Sequence, residues 1–436
     1  MSNEFEPSPS DPTGKAVLRK VSLRLIPFLF LLYVVNLIDR TNVSMAKLQM
    51  FDGERAFIPA HLFGTLAGLF YIGYLLFEVP SNLILLRVGA RVWIARIVVA
   101  WGLVSMGMMF VTGPIGFAVL RLLLGVAEAG FFPGIIFYLS QWFPERTRGR
   151  AVAMFMTGGV IAPMLGNPLS GAIMTHLDGV GDLWGWQWVF LLEGIPSVIL
   201  GLITLRVLPD RPETARWLTQ AERDWLIGER DKSTHESQPH TLKAAFLDPK
   251  VWLLIAIYFT ISVGENVYGF FAPSLLKKQF PAWAEDEIGY LAAVPYLFAL
   301  AAMVLVGRHS DRTGERRWHV AGSAFTAAGG WLILVFAPSP WVSVVGMCVT
   351  LVGMKSMLPT FWTLPSSMLR GTAAAGGVAL INSLANVGGY FGPDAFGRLE
   401  KETGSYLLGL KLIAGILFLG GLLTLSMRRC TPEATK

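Results

Sequence analysis

With 436 residues, of which 53 % are hydrophobic and 15 % charged, and a mean hydropathy of +0.53, the chain has too little polar surface to cover itself in water, which excludes a soluble enzyme. At about 20 apolar residues per crossing, it has room for about a dozen membrane-spanning helices and little else. Its two cysteines, Cys348 and Cys430, and its six histidines show no spacing that would build a disulfide framework or a metal site, so no metal and no cofactor are expected.

The N-terminus is polar and acidic, without the basic start or small-residue cleavage site of a signal peptide. Apolar windows between charged or Pro/Gly punctuation predict spans near 22–44, 62–86, 93–112, 115–140, 151–175, 187–208, 251–275, 288–307, 319–337, 340–364, 373–396 and 405–427. The predicted organisation is a tail over 1–21, a six-helix bundle over 22–208, a linker over 209–250, a second six-helix bundle over 251–427 and a tail over 428–436. Arg87 and Arg91, then Arg146, Arg148 and Arg150, then Arg308, Arg312, Arg316 and Arg317, and finally Arg428 and Arg429 fall on one side of these spans. The loops 112–114 and 337–340 on the other side have no Lys or Arg. The positive-inside rule then puts both termini in the cytoplasm, and the net charge of +6 reflects topology rather than a nucleic-acid partner.

In the linker, the segment Thr219–Arg230 has the composition of an amphipathic surface helix with Trp225 and Leu226 on one side, expected near the lipid headgroups. The loop after span two, from Asn82 through Arg87 and Gly89 to Arg91, is echoed after span eight, from Gly307 through Asp311, Arg312 and Gly314 to Arg317, an offset of 225 residues. Two parallel repeats of six helices are the plan of one large transporter class.

On this background the stretch Gly307, Asp311, Arg312, Gly314, Arg316 resembles the cytoplasmic-loop motif of the major facilitator superfamily; the first-half copy departs from it at Asn82 and Leu86. A narrower similarity is to the superfamily's anion:cation symporter branch. It rests on Asn36, Asp39, Arg40 and Asn42 in span one, on Gly73, Tyr74, Glu78, Pro80 and Asn82 in span two, and on Arg121, Gly125, Glu128, Gly130, Pro133 and Gly134 in span four. Further matches are Tyr138, Trp142 and Pro144, the run Gly185 to Gly194 that includes Trp188 and Glu193, and Phe361, Trp362 and Pro365. The resemblance implies an all-α fold of twelve transmembrane helices, and proton-coupled carriage of a small organic carboxylate such as tartrate, a sugar acid, phthalate or hydroxyphenylacetate. It also implies that Arg40 holds the carboxylate and that Asp39 and Glu128 couple protons.

Elementary physics selects the same residues. A charge at the bilayer centre costs about 2.5–3.5 kcal/mol on insertion scales, so such side chains face a partner or a wet cavity. Asp39 and Arg40 point about 100° apart on a helix, and Arg121 and Glu128 lie two turns apart, about 10 Å, on one face. The signs suggest Asp39 with Arg121 and Arg40 with Glu128. These pairs either knit the first bundle or form a site in which an acid trades its proton when an anion competes for its arginine; for Arg121 the structural role is equally open.

In the second half, Glu265 stands 225 residues after Arg40, and Lys355 lies in span ten. They are expected to face each other or the ligand, with Glu265 in proton coupling and Lys355 available to a second carboxylate. Tyr74, Asn382, Asn386, Tyr268 and Trp362 complete the candidate substrate site, each also explicable as interhelical glue. Asp311, Arg312 and Arg148, at helix ends, are candidates for gating rather than ligand contact. No nucleophile and base, metal cluster or phosphate loop is visible, so the chain is not read as an enzyme. The expectation is a monomeric, multi-pass carrier in the inner membrane that imports a small organic anion with protons. The alternative is a proton-driven exporter of the same superfamily.

Overall fold

The computed structural model describes residues 12–234, 246–368 and 372–427. Arg428, Arg429 and Cys430 lie outside them, as does the middle of the linker, and of Arg146 only the backbone is described. The first bundle is built from α1 (Pro12–Thr41), α2 (Val43–Met50), α3 (Phe63–Val88), α4 (Ala90–Gly107), α5 (Pro114–Glu128), α6 (Phe131–Trp142), α7 (Glu145–Met156), α8 (Gly158–Leu177) and α9 (Gly185–Val207). After the linker helix α10 (Gln220–Thr234) come α11 (Pro249–Gln279), α12 (Glu285–Thr313), α13 (Arg317–Phe336) and α14 (Pro340–Phe361). The chain then runs through α15 (Thr363–Met368), α16 (Thr372–Ala385), α17 (Gly388–Thr403) and α18 (Leu407–Ser426).

Eleven of the described helical stretches are long and apolar enough to cross a membrane. The eleventh predicted span is the exception for a physical reason. It divides into α16 and α17 around Asn386 and Val387, and α17 carries Asp394, Arg398, Glu400 and Lys401 on its outer turns. With it the crossings number twelve, in two bundles of six. Apolar side chains such as Leu76, Leu83, Phe298 and Leu419 are more than half exposed, the pattern of a lipid-facing exterior.

Several spans are broken rather than continuous. The fourth stops at Ala129, and Gly130 takes φ +86° before α6 begins. A Cβ on Gly130 would also meet Ser81 Oγ at 2.4 Å, so the break needs glycine twice over.

The two bundles meet at one end. One apolar core runs through the second bundle and crosses into the first through Phe63, Phe117 and Trp186, while a separate core of Val21, Leu25, Trp101, Tyr138 and Trp142 stays within the first bundle. The crossing lies away from the end where α1 starts and α18 finishes. There α8 packs along α12 and α3 along α17, so closely that a Cβ on Gly64 would sit 1.8 Å from the Pro393 carbonyl and one on Gly289 2.4 Å from that of Asn167.

The apolar side of the linker helix packs on protein. Leu226 on α10 is 1 % exposed, Trp225 abuts Gly14 of α1, and Trp217 stacks on Trp142. The apolar side of α10 is thus covered by its own bundle.

Candidate functional site

The site begins with how α3 and α5 approach each other. A Cβ on Gly125 would fall 2.0 Å from the Phe70 carbonyl, and one on Gly73 2.4 Å from the Leu122 carbonyl. Only glycine permits this backbone contact. It carries Phe70 and Tyr74 beneath the last turn of α1, where the Arg40 guanidinium lies 4.8 Å from the Phe70 ring and 5.7 Å from that of Tyr74. Arg40 Nη2 donates to Glu128 Oε1 at the C-terminal end of α5. Glu128 is 1 % exposed and Arg40 21 %, so the arginine is the partner open to an incoming group. This pair matches the sign argument.

The other expected pair does not form. Asp39 is buried on the opposite side of α1, where it accepts hydrogen bonds from Trp101 Nε1 at 3.2 Å, Ser105 Oγ at 3.0 Å and Ser197 Oγ. Arg121 instead donates from Nε and Nη2 to the Ala67 carbonyl at 3.4 and 3.2 Å. Its guanidinium lies 5.5 Å from the Phe70 ring and 5.8 Å from that of Phe270. It is 1 % exposed and has no carboxylate partner among the described residues. The 100° step between neighbours on a helix is the reason: with Arg40 turned to Glu128, Asp39 faces α4 and α9 rather than α5.

Across the interface Lys355 Nζ lies 2.9 Å from Glu265 Oε1, with the two side chains 13 % and 24 % exposed. The Tyr71 hydroxyl donates to Asn266 Oδ1, tying α3 to α11 one residue from Glu265. Tyr258 stacks on Phe361 and meets Trp362 edge to face.

The arrangement has relatives. The profile of the Major Facilitator Superfamily matches residues 29–393. This chain belongs to that superfamily. A protein of Agrobacterium vitis, provisionally named a tartrate transporter, is 45 % identical over 96 % of this chain and 93 % of its own. The quinolone resistance transporter of Acinetobacter baumannii is 39 % identical over 94 % of both chains. The inward-open xylose transporter XylE of Escherichia coli has a TM-score of 0.74, covering 96 % of this chain and 98 % of its own at 16 % identity. This facilitator is therefore a multi-pass secondary transporter of small organic compounds and not an enzyme.

The remaining candidates of this facilitator divide. Tyr74 lies under Arg40, and Trp362 packs on Tyr258 and Phe361. Asn382 and Asn386 are half-buried near the break in span eleven and make no side-chain hydrogen bond among the described residues. Tyr268 is 1 % exposed and packs inside the second bundle against Tyr296 and Trp331, so it is core rather than cavity wall. Asp311 pairs with Arg316 at 2.7 Å in its own loop; Arg312 is exposed and Arg148 half-buried.

Sequence reasoning passed over four polar contacts. These are Tyr71 with Asn266; Glu78, accepting from Ser383 at 2.8 Å; Glu193, accepting from Ser170 at 2.7 Å; and Lys47, fully buried against Asp52 and Ser274. Tyr71 had a signal, standing three residues before Tyr74 and so on the same helix face. Lys47 falls outside the first predicted span, which ends near 44, whereas α2 prolongs the helix to Met50.

Proposed function

We infer that this facilitator imports a small organic carboxylate together with protons, across the inner membrane and as a monomer. The observation that carries the reading is a surplus of positive charge. Arg40 and Arg121 converge on Phe70 while one carboxylate, Glu128, answers them. A buried guanidinium resting on a carbonyl and two rings is incompletely compensated, and its planar fork suits a carboxylate. An anion reaching Arg40 displaces Glu128, and Glu128, then enclosed without a cation, takes a proton. Anion and proton fluxes are coupled through that exchange, with Tyr74 donating to the bound carboxylate. Coupling also has a motive, since an anion entering a negative-inside cell works against about 2.3 kcal/mol per charge per 100 mV.

Lys355 with Glu265 provides the same exchange in the second half and suits a substrate with a second anionic or polar end; the tartrate name of the Agrobacterium vitis relative is in keeping with that. Asp311, with Arg312 and Arg148, braces the helix ends as the bundles rock.

Purified protein in liposomes, offered radiolabelled tartrate, rhamnonate, phthalate and hydroxyphenylacetate with and without an inward proton gradient, tests the reading. At least one acid should accumulate with the gradient, and Arg40→Gln, which removes the charge, should weaken its binding by roughly 2–5 kcal/mol. Glu265→Gln and Lys355→Met should change the preference among the acids. No accumulation of any carboxylate overturns the assignment. The 39 % identity to a quinolone resistance transporter favours export as a second reading, which the same liposomes decide if only preloaded compounds move out against a proton influx.

A further inference from the structure

The first bundle holds a buried carboxyl group, apart from Glu128, for which the exchange at Arg40 has no use. Glu193 on α9 is 3 % exposed. Its Oε1 accepts from Ser170 Oγ at 2.7 Å, and its Oε2 makes no hydrogen bond of ordinary geometry among the described residues. Ser197, one turn further along α9, donates to Asp39. Asn42, between α1 and α2 and three residues beyond Asp39, is 3 % exposed and turns its side chain to Glu193. Asp39 and Glu193 thus share one enclosed polar pocket between α1, α4, α8 and α9, on the far side of α1 from Arg40.

Among the described residues no cation pairs with either carboxyl group. Of the ionisable groups on the elements packed around α9, Asp39 is the one that acts on Glu193. Lys47 on α2 is engaged by Asp52 and Ser274. Arg91 on α4 is held by Asp210, and Arg96 lies over Trp93 near the other end of that helix. His176 on α8 is exposed. The buried neutral polar groups on these helices include Asn36, Ser105, Asn167 and Ser170. A carboxylate taken out of water without a counter-cation is strongly disfavoured, and the group neutralises instead.

Resting on the proton-coupled reading above, we propose that Asp39 and Glu193 form a single two-carboxyl proton-binding unit behind the substrate site. Glu193 in that unit binds a coupling proton additional to the one exchanged at Glu128. The step is proton binding alone: one proton passes from water to a Glu193 carboxyl oxygen when the pocket opens to one side of the membrane, and returns to water on the other side. Asp39 links the unit to the substrate because it precedes Arg40 on a rigid helix. Ionising both acids would set two negative charges in one pocket, and the resulting repulsion turns α1 and with it Arg40.

Infrared difference spectra of the purified, ligand-free full-length protein, titrated from acid to alkaline buffer, test the unit directly. The wild type should lose two protonated-carboxyl bands. Glu193→Gln should remove one of them and shift the pH at which the other, assigned through Asp39→Asn, disappears. Glu193→Asp should keep both, with one displaced in frequency, and it provides the readout if Glu193→Gln does not fold. In liposomes, with the carboxylate identified by the uptake panel, Glu193→Gln should retain substrate exchange. Its limiting accumulation should fall by about tenfold per pH unit of gradient, the equivalent of one proton. Spectra of Glu193→Gln or Glu193→Asp identical to wild type overturn the proposal, as does equal loss of exchange and accumulation. The spectra need no substrate, so a failed carboxylate assignment leaves them decisive.

Discussion

Arg40 and Asp39 are adjacent in sequence and belong to different environments, one open to the cavity and one enclosed by Trp101, Ser105 and Ser197. What brings Arg40 over its aromatic floor is a pair of glycines on facing helices, and that can be tested at a single residue. Gly125→Ala would set a methyl group 2.0 Å from the Phe70 carbonyl and 2.9 Å from the Tyr74 nitrogen. Backbone cannot yield as a flexible side chain does, so α3 must move off α5. Overpacking of this kind costs about 1–3 kcal/mol, and the expected result is a lower melting temperature in detergent together with weaker substrate binding. Unchanged melting would show that the helices have room to spare. The charged partners at this site were legible in the sequence only where sign and repeat position both spoke: Arg40 with Glu128, and Glu265 with Lys355. The setting of Asp39 was not, because serines and a tryptophan are common in membrane helices. Nor was that of Arg121, whose acceptor is the backbone carbonyl of Ala67, a group every residue carries.

The helices themselves were legible from apolar length, but their breaks were not. Span eleven shows why: its inner half, α16, is apolar and its outer half, α17, is charged, so one averaged window hides two helices. The linker helix α10 was legible as amphipathic, yet composition does not say whether lipid or protein covers the apolar side. Lys20 on α1 bonds Glu222 on α10 at 2.7 Å, and Arg24 lies 5.4 Å from the Trp217 ring. The Lys20 hydrogen bond, joined by one from the Thr219 backbone, holds the Glu222 carboxyl below its ordinary range. A lowered folded value means that the docking is stabilised above the ordinary carboxylate range and that this contribution is lost as pH falls through the lowered value. With Lys20 41 % exposed, the pair contributes about 0.2–1 kcal/mol. Glu222→Gln should therefore melt slightly below wild type at neutral pH and coincide with it in acid, a difference that salt should diminish.

At the scale of the whole molecule, the bundles are joined at the end away from the termini by polar contacts as well as by backbone. Lys47 reaches across to Ser274 at 2.9 Å, and Ser274 donates to Asp52 at 2.7 Å. Thr65 donates to Asp394, and the Asp286 backbone N–H donates to Thr175 at 3.0 Å. Lys47 is fully buried, with its ammonium 5.2 and 5.3 Å from the Phe63 and Phe271 rings. Ser274→Ala removes the shared hydroxyl and leaves the Lys47–Asp52 pair in place. It should shift the carrier toward the conformation open at this end, and a single cysteine placed at Thr65, a near-isosteric exchange, should then label faster with a membrane-impermeant thiol reagent when Ser274→Ala is added than without it. Equal labelling would assign the seal to the glycine contacts alone.

The unanswered charge on Arg121 has a consequence for how membrane voltage acts on the cycle. With Glu128 satisfying Arg40 and Lys355 satisfying Glu265, Arg121 leaves the centre about one positive charge. A bound monoanion is matched by the proton that Glu128 takes up, so the loaded carrier keeps that charge while Glu193 holds its proton, and in the empty carrier the ionised Glu193 cancels it. The loaded crossing then moves about one positive charge through the field, and the return of the empty carrier is electrically quiet. The effect is at most about 2.3 kcal/mol per 100 mV. Net uptake should therefore slow or quicken with an imposed potassium diffusion potential more strongly than one-for-one exchange does, and Arg121→Gln should flatten that dependence; identical voltage sensitivity of uptake and exchange would place the moving charge elsewhere.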